Sequence, residues 1–154
     1  MSPIILGGQN MNLMKVARIP PIVATPDMTV FQASIVMAHN DVGAIVITDA
    51  TNKVLGIFTE RDNLLRVTLK KRDPEKTRLS EVMTAPVQTV PPETEPQDAL
   101  TKMLASKYRH LPIVDHENRI VGVVSVRHLL MRRVSEQQNN IETLSAYVEA
   151  GGPG

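Results

Sequence analysis

Cysteine and tryptophan are both missing from this chain. Without cysteine there is no disulfide framework, no thiolate metal site and no cysteine nucleophile. Aromatic residues are scarce at 3%, so the core must be assembled from Val, Ile, Leu, Met and Ala. An excess of one charge is missing too. The 17 Lys and Arg and 16 Asp and Glu leave a net charge of +1, which gives no reason to expect nucleic acid as a partner. No apolar run approaches the length of a membrane span, so no membrane partner is expected. Residues Met1 to Gly8 combine neither a basic start nor a long apolar stretch, so no leader peptide is expected and the cytosol is the natural location. The four histidines, His39, His110, His116 and His128, lack the i, i+4 pairing of a metal-binding helix. Glycine-rich phosphate loops and a Ser/His/Asp nucleophile context are also missing. The expectation is a protein that is not an enzyme and needs neither a metal nor a cofactor.

What the chain does have is length and a repeat. Its 154 residues, 42% of them apolar, suffice for a folded domain with a real core. The stretch from Val16 to Leu65 matches Val82 to Met131 without a gap at an offset of 66 positions. Identical pairs include Pro20/Pro86, Pro26/Pro92, Ala33/Ala99, Met37/Met103, Ile47/Ile113, Asp49/Asp115, Asn52/Asn118, Gly56/Gly122 and Leu64/Leu130. These fall on turns and core positions, where a duplicated fold retains identity.

Each copy reads as strand, helix, strand, strand, helix. A short apolar segment comes first, Ile22 to Ala24 or Val87 to Val90. Apolar residues then recur at helical spacing, with Val30, Ala33, Met37 and Ala38 in one copy and Ala99, Leu100, Met103 and Leu104 in the other. Thr29 with Gln32, and Thr94 with Gln97, suit capping boxes at the two helix starts. Wholly apolar strands follow, Ala44 to Ile47 and Leu111 to Val114, then polar turns. The last strands, Val54 to Phe58 and Ile120 to Val124, run into helices near Glu60 and Val126. The fold class is α+β. Two units, each too small for a good core of its own, should pack sheet to sheet with helices outside.

The chain divides into an N-terminal segment (1–15), a first repeat (16–72), a linker (73–81), a second repeat (82–134) and a C-terminal helix and tail (135–154). The charged, proline-containing run from Lys70 to Lys76 separates the copies, and Leu79 to Met83 suits a short helix. Ile141, Leu144 and Val148 form an apolar stripe on the C-terminal helix.

Four stretches resemble a known family. They are Val42 to Ile47, Gly56 to Asp62, Tyr108 to Asp115 and Gly122 to His128, with Val82-Met83-Thr84 preceding the second copy. Over roughly residues 16 to 134 the chain resembles a pair of CBS motifs, also called a Bateman module. The resemblance implies a pseudo-symmetric pair of repeats, often joined with a second copy as a disc-shaped homodimer. It also implies a regulatory role through an adenosine-containing ligand such as AMP, ADP, ATP or S-adenosylmethionine, acting on an unidentified partner protein.

The same resemblance marks the site. Thr59 and Asp62 stand where a strand enters a helix, and free N–H groups there suit a phosphate. The carboxylate could accept both hydroxyls of a ribose. The same residues also make an ordinary capped helix start, and the two readings can coexist. Ser125 matches Thr59 in the second copy, but His128 replaces the acid. A neutral imidazole cannot accept hydrogen bonds from two hydroxyls at once, so a weak or empty second pocket is expected. Arg109 and His110, before Leu111-Pro112, are the implied phosphate contacts. Thr89 is the implied polar contact beside the base, and Val23, Ala24 and Val90 are its apolar walls. A structural, dimer-forming protein with degenerate pockets is the alternative, and His128 favours it.

Overall fold

Two copies of one unit stand face to face in the computed structural model, which describes residues 12–135 and 137. The first unit contains β1 (Val23–Ala24), α1 (Val30–Asn40), β2 (Ala44–Thr48), β3 (Val54–Thr59) and α2 (Glu60–Asp62), which continues as a π-helical stretch, Asn63–Thr68. A short helix α3 (Leu79–Val82) leads into α4 (Pro96–Ser106), β4 (His110–Val114), β5 (Ile120–Ser125) and a helix α5 over 126–135. The first sheet has the order β1-β2-β3, with β1 parallel to β2, and β2 antiparallel to β3. The second contains the antiparallel pair β4-β5.

Local chemistry explains the element ends. The Thr29 side chain accepts from the Gln32 amide at 3.2 Å, and the Gln32 side chain accepts from the Thr29 amide at 3.0 Å, closing the expected capping box on α1. Its counterpart on α4 does not form. Pro96 takes the first helical position and Glu95 becomes the cap residue, without a side-chain bond. Proline suits that position because its missing N–H would be unpaired there anyway, which leaves Thr94 one residue too early to cap. The segment Val87 to Val90 also falls short of a strand. Only Val90 bridges, its N–H donating to Pro112 at 3.1 Å, and Pro91 and Pro92 supply no further donors.

The duplication extends to the backbone. Helices α1 and α4 both end in the left-handed conformation, at Asp41 (φ 54°) and Lys107 (φ 62°). Each β-hairpin turn carries a left-handed asparagine, Asn52 (φ 66°) or Asn118 (φ 65°), a residue that tolerates it. Both hairpins also shift register at the same place, after Ile47 and after Ile113.

Each unit completes the other. The inner faces of the sheets meet through Ala44, Val46, Val54, Ile57 and Val114, with Val87, Ile120 and Val123 against them. The turns are stitched by reciprocal bonds, Val54 N–H to the Asn118 carbonyl (3.1 Å) and Ile120 N–H to the Asn52 carbonyl (2.9 Å). The segments leading into the repeats cross over. Arg18 N–H donates to the Val123 carbonyl at 2.8 Å, and Thr84 N–H donates to the Ile57 carbonyl at 2.8 Å. Leu13, on a 3₁₀ turn before the first repeat, is buried in the second unit's core with Ala99, Leu111 and Ile113. Leu79 and Val82 are buried in the first unit's core with Val30, Ile45 and Phe58. Neither unit closes its own core.

The helical stripes suggest more apolar residues than one sheet interface needs, with Val30, Met37, Met103 and Leu104 spare for a contact between chains, and that expectation needs correction. Val30, Met37 and Met103 are not spare apolar surface; they are buried in the two cores because they lie on the inward stripes of α1 and α4. Of the four residues expected to be spare, Leu104 alone is exposed, at 62%. Other exposed apolar side chains include Phe31 and Ile35 on α1, Leu64, Leu65 and Leu69 after α2, and Leu130, Met131 and Val134 on α5. The stripe Ile141, Leu144 and Val148 lies outside the described residues. No helix among the described residues is long and apolar enough to cross a membrane.

Candidate functional site

The junction of β3 with α2 is built around one buried carboxylate. Thr59 is extended and caps the helix, its hydroxyl oxygen accepting from the Asp62 amide at 3.1 Å. Asp62 Oδ2 in turn accepts from the Thr59 amide at 3.0 Å and from its hydroxyl at 3.2 Å. The other oxygen, Oδ1, accepts from the Thr84 hydroxyl at 3.0 Å and lies 3.7 Å from Arg66 Nε. Arg66 also donates to the Met83 carbonyl at 2.8 Å. Asp62 is 8% exposed, so this set of donors is what makes a carboxylate tolerable there. The Arg66 contact adds little, because that guanidinium is half-exposed and screened. The capped helix start is therefore fully formed, and a ribose at Asp62 would have to exchange its hydroxyls for that of Thr84. The π-helical stretch that begins at Asn63 widens the helix directly after this residue.

His110 of the second unit approaches the same junction. Glu60 N–H donates to the Gly43 carbonyl at 3.0 Å. A Cβ on Gly43 would lie 3.0 Å from Glu60 Oε1 and 3.8 Å from His110 Cε1. The absent side chain leaves room for the Glu60 and His110 side chains, which approach Gly43 from opposite units.

The second junction has the same frame with different chemistry. Ser125 is buried, and its hydroxyl accepts from the His128 amide at 3.1 Å. Val126 N–H donates to the Arg109 carbonyl at 2.9 Å, the counterpart of the Glu60–Gly43 bond. His110 pairs across the strands with Ser125. Burial, and then the positive charges of His128 and Arg109, push the His110 imidazole down to about 4, so it is neutral at pH 7. His128 and Arg109 are exposed.

The remaining candidates lie along the sheets. Val23 is on the edge strand β1 and 38% exposed, whereas Ala24 and Val90 are packed into the two cores. Thr89 is partly exposed, and it precedes Val90, which bonds Pro112. Thr59 and Asp62 are therefore brought together at one junction, and Arg109, His110, Ser125 and His128 at the other. Thr89 and Val90 adjoin Pro112 at the edge of the second sheet, through the Val90 bridge. His110 also stands near the first junction, its Cε1 3.8 Å from where a Gly43 Cβ would lie. An outer groove of about 360 Å³ lies between α1 and α2, lined by Met37, Val42, Glu60, Leu64 and Thr68 among others. Among the described residues, no group of His, Asp and Glu is arranged to hold a metal ion.

Thr84, Arg66 and Arg18 were not among the sequence candidates. The signal that finds the first and last is the offset of 66, which aligns Arg18 with Thr84. Arg66 sits one helical turn after Asp62, the spacing of an i, i+4 ion pair.

The CBS domain family model matches residues 13–62 and 79–135. The chain belongs to that family and carries the domain as a tandem pair. It is 30% identical over 131 residues to the mitochondrial CBS domain-containing protein CBSX3 of Arabidopsis thaliana, spanning 82% of this chain and 63% of that protein. The chain thus covers somewhat under two thirds of the length of such relatives. A solved structure of a protein with CBS domains from Burkholderia ambifaria superposes with a TM-score of 0.74 at 28% identity, covering 82% of this chain and 96% of that one. The CBS domain pair of protein MJ0100, solved with 5′-methylthioadenosine and S-adenosyl-L-methionine, has a TM-score of 0.75 at 21% identity, covering 82% and 98%.

Proposed function

We propose that this CBS pair is a regulatory module that binds an adenosine-containing nucleotide at the first junction and passes the signal to a partner protein. The carrying observation is the Asp62 carboxylate, oriented by Thr59 and held by an exchangeable hydroxyl from Thr84. The adenosine compounds bound by the MJ0100 pair support the ligand class. AMP, ADP, ATP and S-adenosylmethionine all carry the adenosine ribose that Asp62 would accept. The role is sensing rather than catalysis, and the cysteine-free composition suits the cytosol. Thermal unfolding with a panel of these compounds tests the reading. A ligand at 100 times its dissociation constant should stabilise the fold by about 2.7 kcal/mol. A flat response to the whole panel would favour a scaffolding protein instead, the reading that His128 and the internally satisfied Asp62 support.

The active form is a homodimer in this proposal. Exposed apolar residues recur at equivalent positions of the two units, Leu64 with Leu130 and Leu65 with Met131. Such recurrence makes a two-sided apolar face of the kind that marks protein contacts. Light scattering should report twice the 17.0 kDa chain mass, and the double variant Leu64→Asp, Leu130→Asp should report one chain. Wild-type monomer at micromolar concentration would remove the dimer. Truncation after Val134 should loosen the dimer, and an equally tight dimer would take the tail out of it.

A further inference from the structure

Helix α5 leaves the second unit with apolar side chains on its outer side. Leu129 is buried in that unit's core, while Leu130 and Val134, one turn apart, are 44% and 63% exposed. Gln137 is still helical and is exposed, so the helix reaches beyond Ser135.

The exposed line continues along the sequence. Leu130, Val134, Gln137, Ile141, Leu144 and Val148 follow one another at alternating steps of four and three residues, and only Gln137 among them is polar. That spacing is the repeat of about 3.5 residues that marks a coiled-coil seam, narrower than the stripe of a helix lying on a protein core. The residue types point the same way. Val134, Ile141 and Val148 are β-branched and take the first apolar position of each heptad, and Leu130 and Leu144 take the second. β-branched residues at the first position with leucine at the second favour two parallel strands. A single polar side chain in such a seam, here Gln137, costs stability but fixes register, because it is best satisfied against its own copy.

The rest of the heptad is compatible. Gln138, Asn140, Ser145 and Tyr147 flank the seam and carry no charge, so no like-charge repulsion opposes a parallel partner. Glu136, Glu142 and Glu149 fall on outer positions. An isolated helix of this composition is marginal in water, so most of its stability must come from packing. Its first turns are already fixed by the second unit, which supplies the costly nucleus.

We infer that α5 pairs in parallel with the α5 of a second copy, along a seam from Leu130 to Val148. The inference rests on the homodimer proposed above and adds its arrangement. The second units meet each other, so Leu130 faces its own copy rather than Leu64.

The chain has no cysteine, so one introduced thiol reports by itself. Under mild oxidation, full-length Leu144→Cys should give a disulfide-linked dimer at least tenfold faster than Glu142→Cys. Only a seam position brings the two Cα atoms within the ~7 Å that a disulfide requires. Gln137→Leu should tighten the dimer at least tenfold, read by light scattering on dilution. Equal linking rates for the two cysteine variants, or a dimer no tighter with Gln137→Leu, would overturn the seam and leave the homodimer standing. A wild-type chain that stays monomeric at micromolar concentration would overturn both.

Discussion

Replacing Asp62 with alanine should weaken an adenosine ligand at least tenfold and destabilise the free chain at the same time. The two effects share one cause. The carboxylate accepts the Thr59 amide, the Thr59 hydroxyl and the Thr84 hydroxyl in a site where it is 8% exposed. Hydrogen bonds to a charged group are worth about 1.5–3 kcal/mol each, and their loss leaves the donors unpaired. Thr84→Val separates binding from folding. It removes the competing hydroxyl but keeps the acid, so the chain should lose some stability while the ligand binds more tightly. Calorimetry and denaturant unfolding on the two variants read both quantities. Unchanged affinity in Asp62→Ala would take the carboxylate out of the site.

The two hairpin glycines should respond very differently to alanine. A Cβ on Gly56 would lie 2.8 Å from the Thr84 carbonyl oxygen and 2.8 Å from Met83 Sδ. The backbone oxygen cannot swing aside, so the crossing segment must move off β3. Overpacking of this kind costs about 1–3 kcal/mol. It would also pull Thr84 away from Asp62, so Gly56→Ala should alter the ligand site from a distance. At Gly122 the nearest atoms, from Ala17, Arg18 and Ile19, are 3.4 Å away. Small adjustments suffice there, and Gly122→Ala should change stability by less than about 1 kcal/mol, since removing a glycine also restricts the unfolded chain. Denaturant melts of the two variants compare them directly. Equal losses would contradict the close crossing at Gly56.

The repeat was readable because turns and core positions repeat at one offset, and with it came the element order and the sheet-to-sheet arrangement. Asn52 and Asn118 mark their turns chemically, since asparagine tolerates left-handed backbone. The crossing of the lead-in segments was not readable. Periodicity shows that Leu79 and Val82 are apolar, not that their partners are Val30 and Phe58 in the other repeat. The same limit explains Val30, Met37 and Met103, because a helical stripe looks alike whether it faces the core or a second chain. At the site, the Thr59–Asp62 pairing is local and could be anticipated from its spacing. The Thr84 hydroxyl arrives from 22 residues away and could not. The Arg18 Nε, buried without a hydrogen-bond partner among the described residues, is likewise a property of packing that the sequence does not show.

The central claim is a location, so a crystal structure of the chain with S-adenosylmethionine or ATP tests it most directly. The ribose hydroxyls should lie within hydrogen-bond distance of Asp62 Oδ1, with the Thr84 hydroxyl displaced from its present 3.0 Å contact. A ligand seated instead in the outer groove between α1 and α2, with the Thr84–Asp62 bond intact, would contradict it.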